Sequence, residues 1–216
     1  MLLVAHRAPR ERQRCDELAA AGANVFEADV RLHGERLVVS HFVAFPGLGE
    51  WLQHDNWRVR LARAAARDQP LPEQLDLVPP DVQVLLDLKE RSPRGRARLV
   101  AALRDLPGDR SRLIVSSPEP ADLAAVRGAG YRTWLSIGNR TKLTRLLGRG
   151  GLGDCDGATV RHTLLDPGAV SRLHERVATV LAWTVNDVPR ARQLADAGVD
   201  GLTTDSLSVL RELSAR

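Results

Sequence analysis

Short apolar runs alternate with amphipathic, helix-like segments from one end of the chain to the other. The apolar runs predict eight strands, each followed by a helical pattern. These predicted strands are Leu2–His6, Asn24–Val30, Asp81–Lys89, Arg112–Ser117, Arg132–Ile137, Gly157–His162, Thr179–Val185 and Gly201–Asp205. Strict alternation predicts a parallel sheet, and eight such units predict a (β/α)₈ TIM barrel of the α/β class. No linker or low-complexity segment divides the sequence, so we expect residues 1–216 to form a single domain.

One departure from the alternation follows the second predicted strand. A tight turn is predicted at Arg31–Arg36, and the apolar run Leu37–His41 returns from it, so we expect a small β-hairpin. Phe42–Gln69 is the least regular stretch, and Arg58–Arg67 within it has a helix-like pattern. A long irregular segment between regular units is more often functional than idle.

Two carboxylates interrupt the otherwise apolar strand Val25–Val30. Successive side chains on a strand turn to opposite faces, so Glu27 and Asp29 share one face. Two like charges side by side are costly in an apolar setting unless something positive lies between them. A hard divalent cation would serve, because Mg²⁺ and Ca²⁺ prefer carboxylate oxygens. The alternative from spacing alone is a strand with one solvated polar face.

Further polar residues fall at the ends of neighbouring apolar runs. His6 ends the run before the carboxylate strand, and His41 ends the run after it. Asp87 and Lys89 share one face of a third strand, where they offer another carboxylate and a donor for an anionic substrate, or else reach solvent. Active sites of (β/α)₈ barrels lie at the carboxyl ends of the strands, so we expect these residues to converge there.

Composition narrows the possible partners. The net charge is +4, but the arginines are scattered among acidic residues and few aromatic residues accompany them, so we expect no nucleic-acid partner. No apolar run approaches the roughly 20 residues of a membrane span, and we expect no transmembrane segment. The N-terminus lacks the pattern of a signal peptide, which favours a cytoplasmic protein. Cys15 and Cys155 have no metal-ligand spacing and are expected to be reduced thiols.

Several motifs in order along the chain resemble one family, the glycerophosphodiester phosphodiesterases. The matching segments are Ala5–Arg7, Phe26–Val30, Leu37–His41, Leu71–Leu75, Leu86–Lys89, Ala182–Asn186 and Gly198–Asp205. The resemblance implies a metal-dependent (β/α)₈ barrel that hydrolyses a small-molecule glycerophosphodiester to an alcohol and glycerol phosphate, as part of lipid metabolism. It also implies one divalent metal ion, Mg²⁺ or Ca²⁺, as cofactor.

The resemblance further implies a role for individual residues. It assigns acid–base catalysis to His6 and His41, metal binding to Glu27, Asp29 and Asp87, and substrate binding to Arg7, Lys89 and Trp183. Asp87 stands where the family usually has Glu. These roles suit the chemistry, because a phosphodiester needs charge neutralisation at its non-bridging oxygens, a base for the nucleophile and an acid for the leaving oxygen.

The sequence also departs from the family pattern. Ala8 replaces the glycine of His-Arg-Gly, the loop Pro9–Arg12 replaces a Pro-Glu-Asn-Thr segment, and Phe42 replaces the Asp that usually follows the second histidine. Two other functions therefore stay open. One is a phospholipase D-like enzyme that acts on lysophospholipids, with release of a cyclic phosphate by internal attack. The other is a catalytically silent barrel that binds a phosphorylated ligand. The sequence leaves the oligomeric state open.

Overall fold

The structure is a computed structural model of the chain. It describes residues 1–9, 11–40, 43–44, 50–55, 58–63, 69–148 and 154–216, and for residues 43–44, 50–55 and 58–63 it describes the backbone only. His41, one of the two histidines predicted to be catalytic, lies outside the described residues.

Strands and helices alternate through most of the described chain. The strands are β1 Leu2–Ala5, β2 Val25–His33, β3 Arg36–Val39, β4 Val43–Ala44, β5 Glu50–Asp55, β6 Arg58–Arg63, β7 Gln69–Pro70, β8 Gln83–Leu88, β9 Leu113–Ser117, β10 Arg132–Ile137, β11 Gly157–Arg161, β12 Thr179–Trp183 and β13 Gly201–Thr204. The helices are α1 Arg12–Ala20, α2 Leu71–Leu75, α3 Pro93–Arg104, α4 Pro120–Arg127, α5 Arg140–Gly148, α6 Pro167–His174, α7 Val188–Asp196 and α8 Leu207–Ser214.

Eight of these strands close into a parallel barrel. Their order is β1-β13-β12-β11-β10-β9-β8-β2, and β1 also pairs with β2, which closes the ring. The helices between the strands lie outside this ring, so the predicted (β/α)₈ barrel is confirmed. The predicted strand boundaries agree with the observed ones to within a few residues, because each strand is a short apolar run between turn signals.

The hairpin after the second barrel strand is also present. β2 continues beyond the barrel to His33 and pairs antiparallel with β3, with Val30 opposite Val39 and His33 opposite Arg36. Gly34 takes a positive φ of 63° in the turn between them. β7 then adds to the outer edge of β3. The strand is therefore longer than predicted, since the residues assigned to a turn begin as its continuation.

The helix predicted within the irregular stretch is wrong over Arg58–Arg63. These residues form β6, which pairs antiparallel with β5 in a small sheet of order β4-β5-β6. The segment reads Arg-Val-Arg-Leu-Ala-Arg, and its first four residues alternate polar and apolar with the period of a strand. Arginine, leucine and alanine favour helices, but such propensity is weak and pairing with a neighbouring strand overrides it.

The inside of the barrel is divided into an apolar layer and a polar layer. The apolar layer is a separate buried cluster of side chains from six strands, namely Val4, Val25, Leu85, Ile114, Trp134 and Leu181. Two residues further along the same strands stand His6, Glu27, Asp87, Ser116, Ser136 and Trp183. Because a strand repeats every two residues, both sets face inward. The apolar layer thus closes the barrel beneath the polar side chains at its carboxyl end.

Trp134 fills the apolar layer only because a glycine lies next to it. A Cβ atom on Gly157 would lie 2.6 Å from Cδ1 of Trp134 and 2.9 Å from the carbonyl oxygen of Thr179. The indole ring is buried, and the neighbouring backbone belongs to a paired strand, so neither can move far. Glycine is therefore required at this position by the close approach of the ring.

We expect Gly157→Ala to lower the free energy of unfolding by about 1–3 kcal/mol, the usual cost of overpacking a core. Urea unfolding followed by tryptophan fluorescence measures this change. Gly128→Ala is the matched control, because Gly128 ends α4 with a helical φ of −59° and nothing closer than 4.0 Å would meet its Cβ. Equal stability of the two variants would contradict the packing of Trp134 described here.

Candidate active site

A cavity of about 700 Å³ opens at the carboxyl ends of the barrel strands. Its lining residues are His6, Arg7, Glu27, Asp29, Leu85, Asp87, Lys89, Ser116, Ser136, Thr159, Arg161, His162, Trp183, Thr184, Asn186, Thr203 and Asp205. All site residues predicted from the sequence that fall in the described part of the chain line this cavity. A groove of similar volume lies outside the barrel between β3 and α3, and none of the predicted site residues lines it.

Three carboxylates converge on one wall of the cavity. Glu27 and Asp29 lie on β2, and Asp87 is the register partner of Asp29 on β8. One oxygen from each carboxylate lies within 4.8 Å of the others. Glu27 and Asp29 are only 4% and 2% exposed, so water screens their repulsion poorly. The donor set consists of oxygens alone, which suits a hard divalent cation.

Burial and mutual repulsion both act against ionisation of the carboxylates in this cluster. Burial first, and then the neighbouring charge of Asp29, raises the pKa of Glu27 from 4.5 to about 8. Burial also raises the pKa of Asp87, although Lys89 acts in the opposite direction. Both raised pKa values mean that the ionised forms of Glu27 and Asp87 are disfavoured. A positive charge added between the carboxylates would lower these pKa values again.

Lys89 supplies part of that positive charge. Its Nζ atom lies 3.0 Å from Oδ1 of Asp29 and forms an ion pair with Asp87. Burial alone would lower the pKa of this ammonium group, but the surrounding carboxylates outweigh burial and raise it. Three ionised carboxylates and one ammonium leave two negative charges, which one divalent cation would balance. The residues present therefore fit the metal ion that the family resemblance implies.

The backbone around Arg7 is also shaped by this cluster. Arg7 has a φ of 55°, the one positive φ of a non-glycine residue in the described chain. This conformation directs its N–H toward Oε2 of Glu27 at 2.9 Å, and the next N–H, of Ala8, donates to the Glu27 carbonyl at 3.0 Å. Such a backbone costs on the order of 1–3 kcal/mol and persists where surrounding contacts impose it. Arg7 has the positive φ and Ala8 does not, so alanine is tolerated at the position where the family usually has glycine.

His6 is held by a network that closes the barrel between its first and last strands. Its Nδ1 lies 2.8 Å from Oδ1 of Asp205, at the end of β13. The side-chain amide Nδ2 of Asn186 donates to Oδ2 of Asp205 at 3.0 Å. The backbone N–H of Asp205 donates in return to the side-chain amide oxygen Oδ1 of Asn186 at 2.8 Å. Thr204 Oγ1 donates to the same amide oxygen at 3.0 Å. These bonds fix the orientation of the imidazole ring.

The charges in this network settle which nitrogen of His6 carries a proton. Burial would raise the pKa of Asp205, but the hydrogen bonds from His6 and Asn186 and the charges of His6 and Arg7 together outweigh burial and lower the pKa to about 2. Asp205 is therefore an ionised acceptor, and Nδ1 of His6 donates to it. Burial would lower the pKa of His6, but Asp205 and Glu27 together raise it. Nε2, 3.8 Å from Oε2 of Glu27, is left as the nitrogen that can exchange a proton.

Neither Asp205 nor Asn186 was assigned a role in the site from the sequence. Asp205 ends a predicted strand and Asn186 directly follows another, so they had much the same positional signal as His6. No local pattern in the sequence indicated that they would lie beside His6, because Asp205 is 199 residues away along the chain. His174, by contrast, lies outside the cavity, where Nε2 bonds to Asp200 at 2.8 Å.

The structure brings the chain close to the site just before His41. The Ser40 N–H donates to the carbonyl of Asp29 at 2.9 Å. Arg31 donates to the carbonyl oxygens of Ser40 at 3.1 Å and Lys89 at 2.8 Å. The end of β3 is thus tied to the ends of β2 and β8, the two strands that bear the carboxylates.

The raised pKa of Glu27 predicts a pH dependence of stability in the metal-free protein. Between about pH 4.5 and pH 8 the folded state keeps a proton that the unfolded state has lost, so the free energy of unfolding should fall as pH rises. Glu27→Gln should flatten this slope, because glutamine cannot ionise. Urea unfolding with a chelator present, at several pH values in this window, measures it.

The exposed Asp196 provides the control, since Asp196→Asn should leave the slope unchanged. A Glu27→Gln protein with the wild-type slope would show that Glu27 is ionised in the folded state throughout the window.

The comparisons with known proteins agree with this geometry. The family model described as "Glycerophosphoryl diester phosphodiesterase family" matches residues 88–209, more than half of the chain. No curated protein matches the sequence.

Within the part of the chain that the structure describes, no helix has the length and apolar character needed to cross a membrane.

Solved structures with the same fold cover nearly the whole chain. A glycerophosphodiester phosphodiesterase from Thermotoga maritima is 20% identical with a TM-score of 0.72, and covers 99% of this chain and 98% of its own. A phosphodiesterase from Oleispira antarctica, in complex with the product sn-glycerol-3-phosphate, is 18% identical with a TM-score of 0.71, covering 99% and 96%. One from Parabacteroides distasonis is 18% identical with a TM-score of 0.68, with the same coverage. At these identities the likeness establishes the fold.

The match to the family model covers β9 to β13 and the helices between them, and the barrel brings the ends of these strands beside His6, Glu27 and Asp87. The chain therefore belongs to the glycerophosphoryl diester phosphodiesterase family, whose members are phosphoric diester hydrolases.

Proposed function

We propose that this protein is a metal-dependent phosphodiesterase that hydrolyses a glycerophosphodiester to an alcohol and glycerol phosphate. The observation that supports this most strongly is the convergence of Glu27, Asp29 and Asp87 on one cavity wall, beside His6. The product held by the Oleispira antarctica relative is of the same class, sn-glycerol 3-phosphate.

The substrate phosphate binds at the wall formed by β2 and β8. Glu27, Asp29 and Asp87 would hold one Mg²⁺ or Ca²⁺, which when bound neutralises charge on the non-bridging phosphate oxygens. Lys89 lies between Asp29 and Asp87 and can donate to the same phosphate. Arg7, whose guanidinium Nε is 3.9 Å from Oδ2 of Asp29, lies at the edge of this wall and can contact a second phosphate oxygen.

Two histidines move the protons of the reaction. A water oxygen attacks phosphorus, the bond from phosphorus to the leaving alcohol oxygen breaks, one histidine accepts the proton of water, and the other protonates the alkoxide. Nε2 of His6 suits one of these roles, because Asp205 holds Nδ1 and keeps the ring directed at the cavity. We assign the other role to His41 from the sequence, supported by the position of Ser40 beside Asp29.

A silent binding barrel is the less favoured function. It is motivated by the replacement of glycine by Ala8 and of Asp by Phe42. Ala8 is buried without a positive φ, which falls on Arg7 instead, and Phe42 lies outside the described residues. An oriented histidine with a carboxylate behind it is an arrangement suited to a general acid or base, which favours catalysis over binding alone. The phospholipase D-like alternative depends on an apolar rim whose side chains lie outside the described residues.

We also propose that the barrel acts as a single domain on a small molecule in the cytoplasm. Cys15 is buried in the core and Cys155 is partly buried, and a reducing compartment would keep both as thiols.

We expect His6→Ala and His41→Ala each to lower kcat by roughly 10²–10⁴-fold on an sn-glycero-3-phosphodiester, the usual contribution of a positioned acid or base. His174→Ala is the matched control, because His174 lies outside the cavity. Steady-state kinetics on all three variants measure the effect, with circular dichroism to check folding.

A diester with an activated leaving group separates the two roles. The variant that recovers more of the wild-type rate on this substrate has lost the general acid, because a good leaving group needs no proton. If both variants turn over the natural diester like His174→Ala, the catalytic assignment is wrong and the silent barrel becomes the better interpretation.

Chelation should abolish turnover, and Mg²⁺ or Ca²⁺ should restore it. The same cations should raise Tm, because they bind only the folded site. At a free cation concentration of 100 times Kd, the added free energy of unfolding is about 2.7 kcal/mol. Differential scanning fluorimetry of the chelated protein measures this effect without any need for activity. Asp87→Asn should lose both responses, whereas the surface variant Asp196→Asn should retain them. Full turnover in the presence of excess chelator would rule out the metal.

A further inference from the structure

The cavity has a second wall, in which Trp183 has a role implied by the family resemblance but its neighbours at the end of β11 have none. In the barrel order β11 lies four strands from β2 in either direction, so the two strands face each other across the mouth. Arg161 at the end of β11 is the register partner of Trp183 at the end of β12. His162 follows Arg161 directly, and all three residues line the cavity. We call Arg161, His162 and Trp183 the distal wall.

Two buried nitrogen atoms of the distal wall have no hydrogen-bond partner in the part of the chain that the structure describes. They are Nδ1 of His162 and Nε1 of Trp183. An indole nitrogen can only donate, and a buried donor left without an acceptor costs free energy. A ligand that places an acceptor against this wall would remove that cost.

The charge of the distal wall is positive and is not balanced locally. Arg190 reaches beneath it and donates to the carbonyls of His162 at 2.7 Å and Leu165 at 3.0 Å. Within the described residues, neither Arg161 nor Arg190 forms an ion pair with a carboxylate. Burial, with both arginines, lowers the pKa of His162, so this ring stays neutral near pH 7. Arg161 is then the charged residue of the distal wall, and the Arg190 guanidinium lies behind it.

The cavity is therefore acidic at β2 and β8 and basic at β11. A bound phosphodiester would place its phosphate on the first side and extend one alcohol arm toward the second. An arm that ends in a carboxylate or phosphate would meet the Arg161 guanidinium and the indole N–H of Trp183. A cationic arm would gain contact with the Trp183 ring but would face the Arg161 guanidinium, with Arg190 behind it.

We propose that the distal wall selects glycerophosphodiesters whose alcohol arm carries an anionic group, with Arg161 as the residue that determines this specificity. The inference rests on the proposed function, since it takes the phosphate to bind at the carboxylate wall.

Two substrates that differ by one carboxylate test it. sn-Glycero-3-phosphoserine and sn-glycero-3-phosphoethanolamine have the same phosphate and the same ammonium group. We expect kcat/KM for the serine diester to be about tenfold higher, as one charge-assisted contact can provide. Arg161→Gln should bring this ratio close to one, whereas Arg161→Lys should keep part of it. The preference should weaken as salt rises, because the contact is partly exposed.

Arg172→Gln is the matched control, because Arg172 is an exposed arginine on α6 outside the cavity. It should change neither the rates nor the ratio. Calorimetric titration of O-phosphoserine and phosphoethanolamine into the wild-type protein and the Arg161 variants gives the same comparison without turnover.

The outcomes separate the inference from the proposed function. Hydrolysis of both diesters with equal kcat/KM would overturn the inference and leave the phosphodiesterase intact. A serine preference that survives in Arg161→Gln would also overturn it. If the wild-type protein hydrolyses neither diester, the proposed function fails, and equal affinity for the two phosphate monoesters would then overturn the inference as well.

Discussion

Glu27, Asp29 and Asp87 repel one another on the inner wall of the barrel, and the neighbouring groups are arranged to offset that repulsion. Lys89 contacts two of the three carboxylates, and the backbone N–H of Arg7 donates to the third in a strained conformation. Neither contact balances the whole charge, so this wall keeps a net negative charge that a divalent cation would offset. A binding site gains affinity for its ligands when its own groups remain incompletely paired in their absence.

The barrel makes this arrangement tolerable by separating it from the core. The layer that contains Trp134 and Leu181 closes the interior beneath the carboxylates, and the close approach of Gly157 lets the large indole fill the space. One strand therefore supports the core with one residue and the chemistry with the residue two positions later. The period of a strand is the reason that stability and function can share a face without mixing.

Each end of the site is held by contacts between distant parts of the chain. Asp205 orients His6 across the closure between β1 and β13, and Arg190 supports the turn that presents Arg161 and His162. The result is a mouth with an acidic side and a basic side. Such a distribution of charge would orient an asymmetric substrate, with its phosphate at the acidic side through the proposed cation and an anionic alcohol arm at the basic side.

The sequence by itself determined the order of strands and helices, the barrel they form, and the shared face of Glu27 and Asp29, because these follow from local periodicity. It also indicated that Asp87 would join them, since strand ends meet at one rim. It did not reveal the pairing of His6 with Asp205 or the distal wall opposite β2, and it suggested a helix where Arg58–Arg63 form a strand. Those features depend on which strands become neighbours or face each other, and only the closure and pairing of the strands in three dimensions decided that.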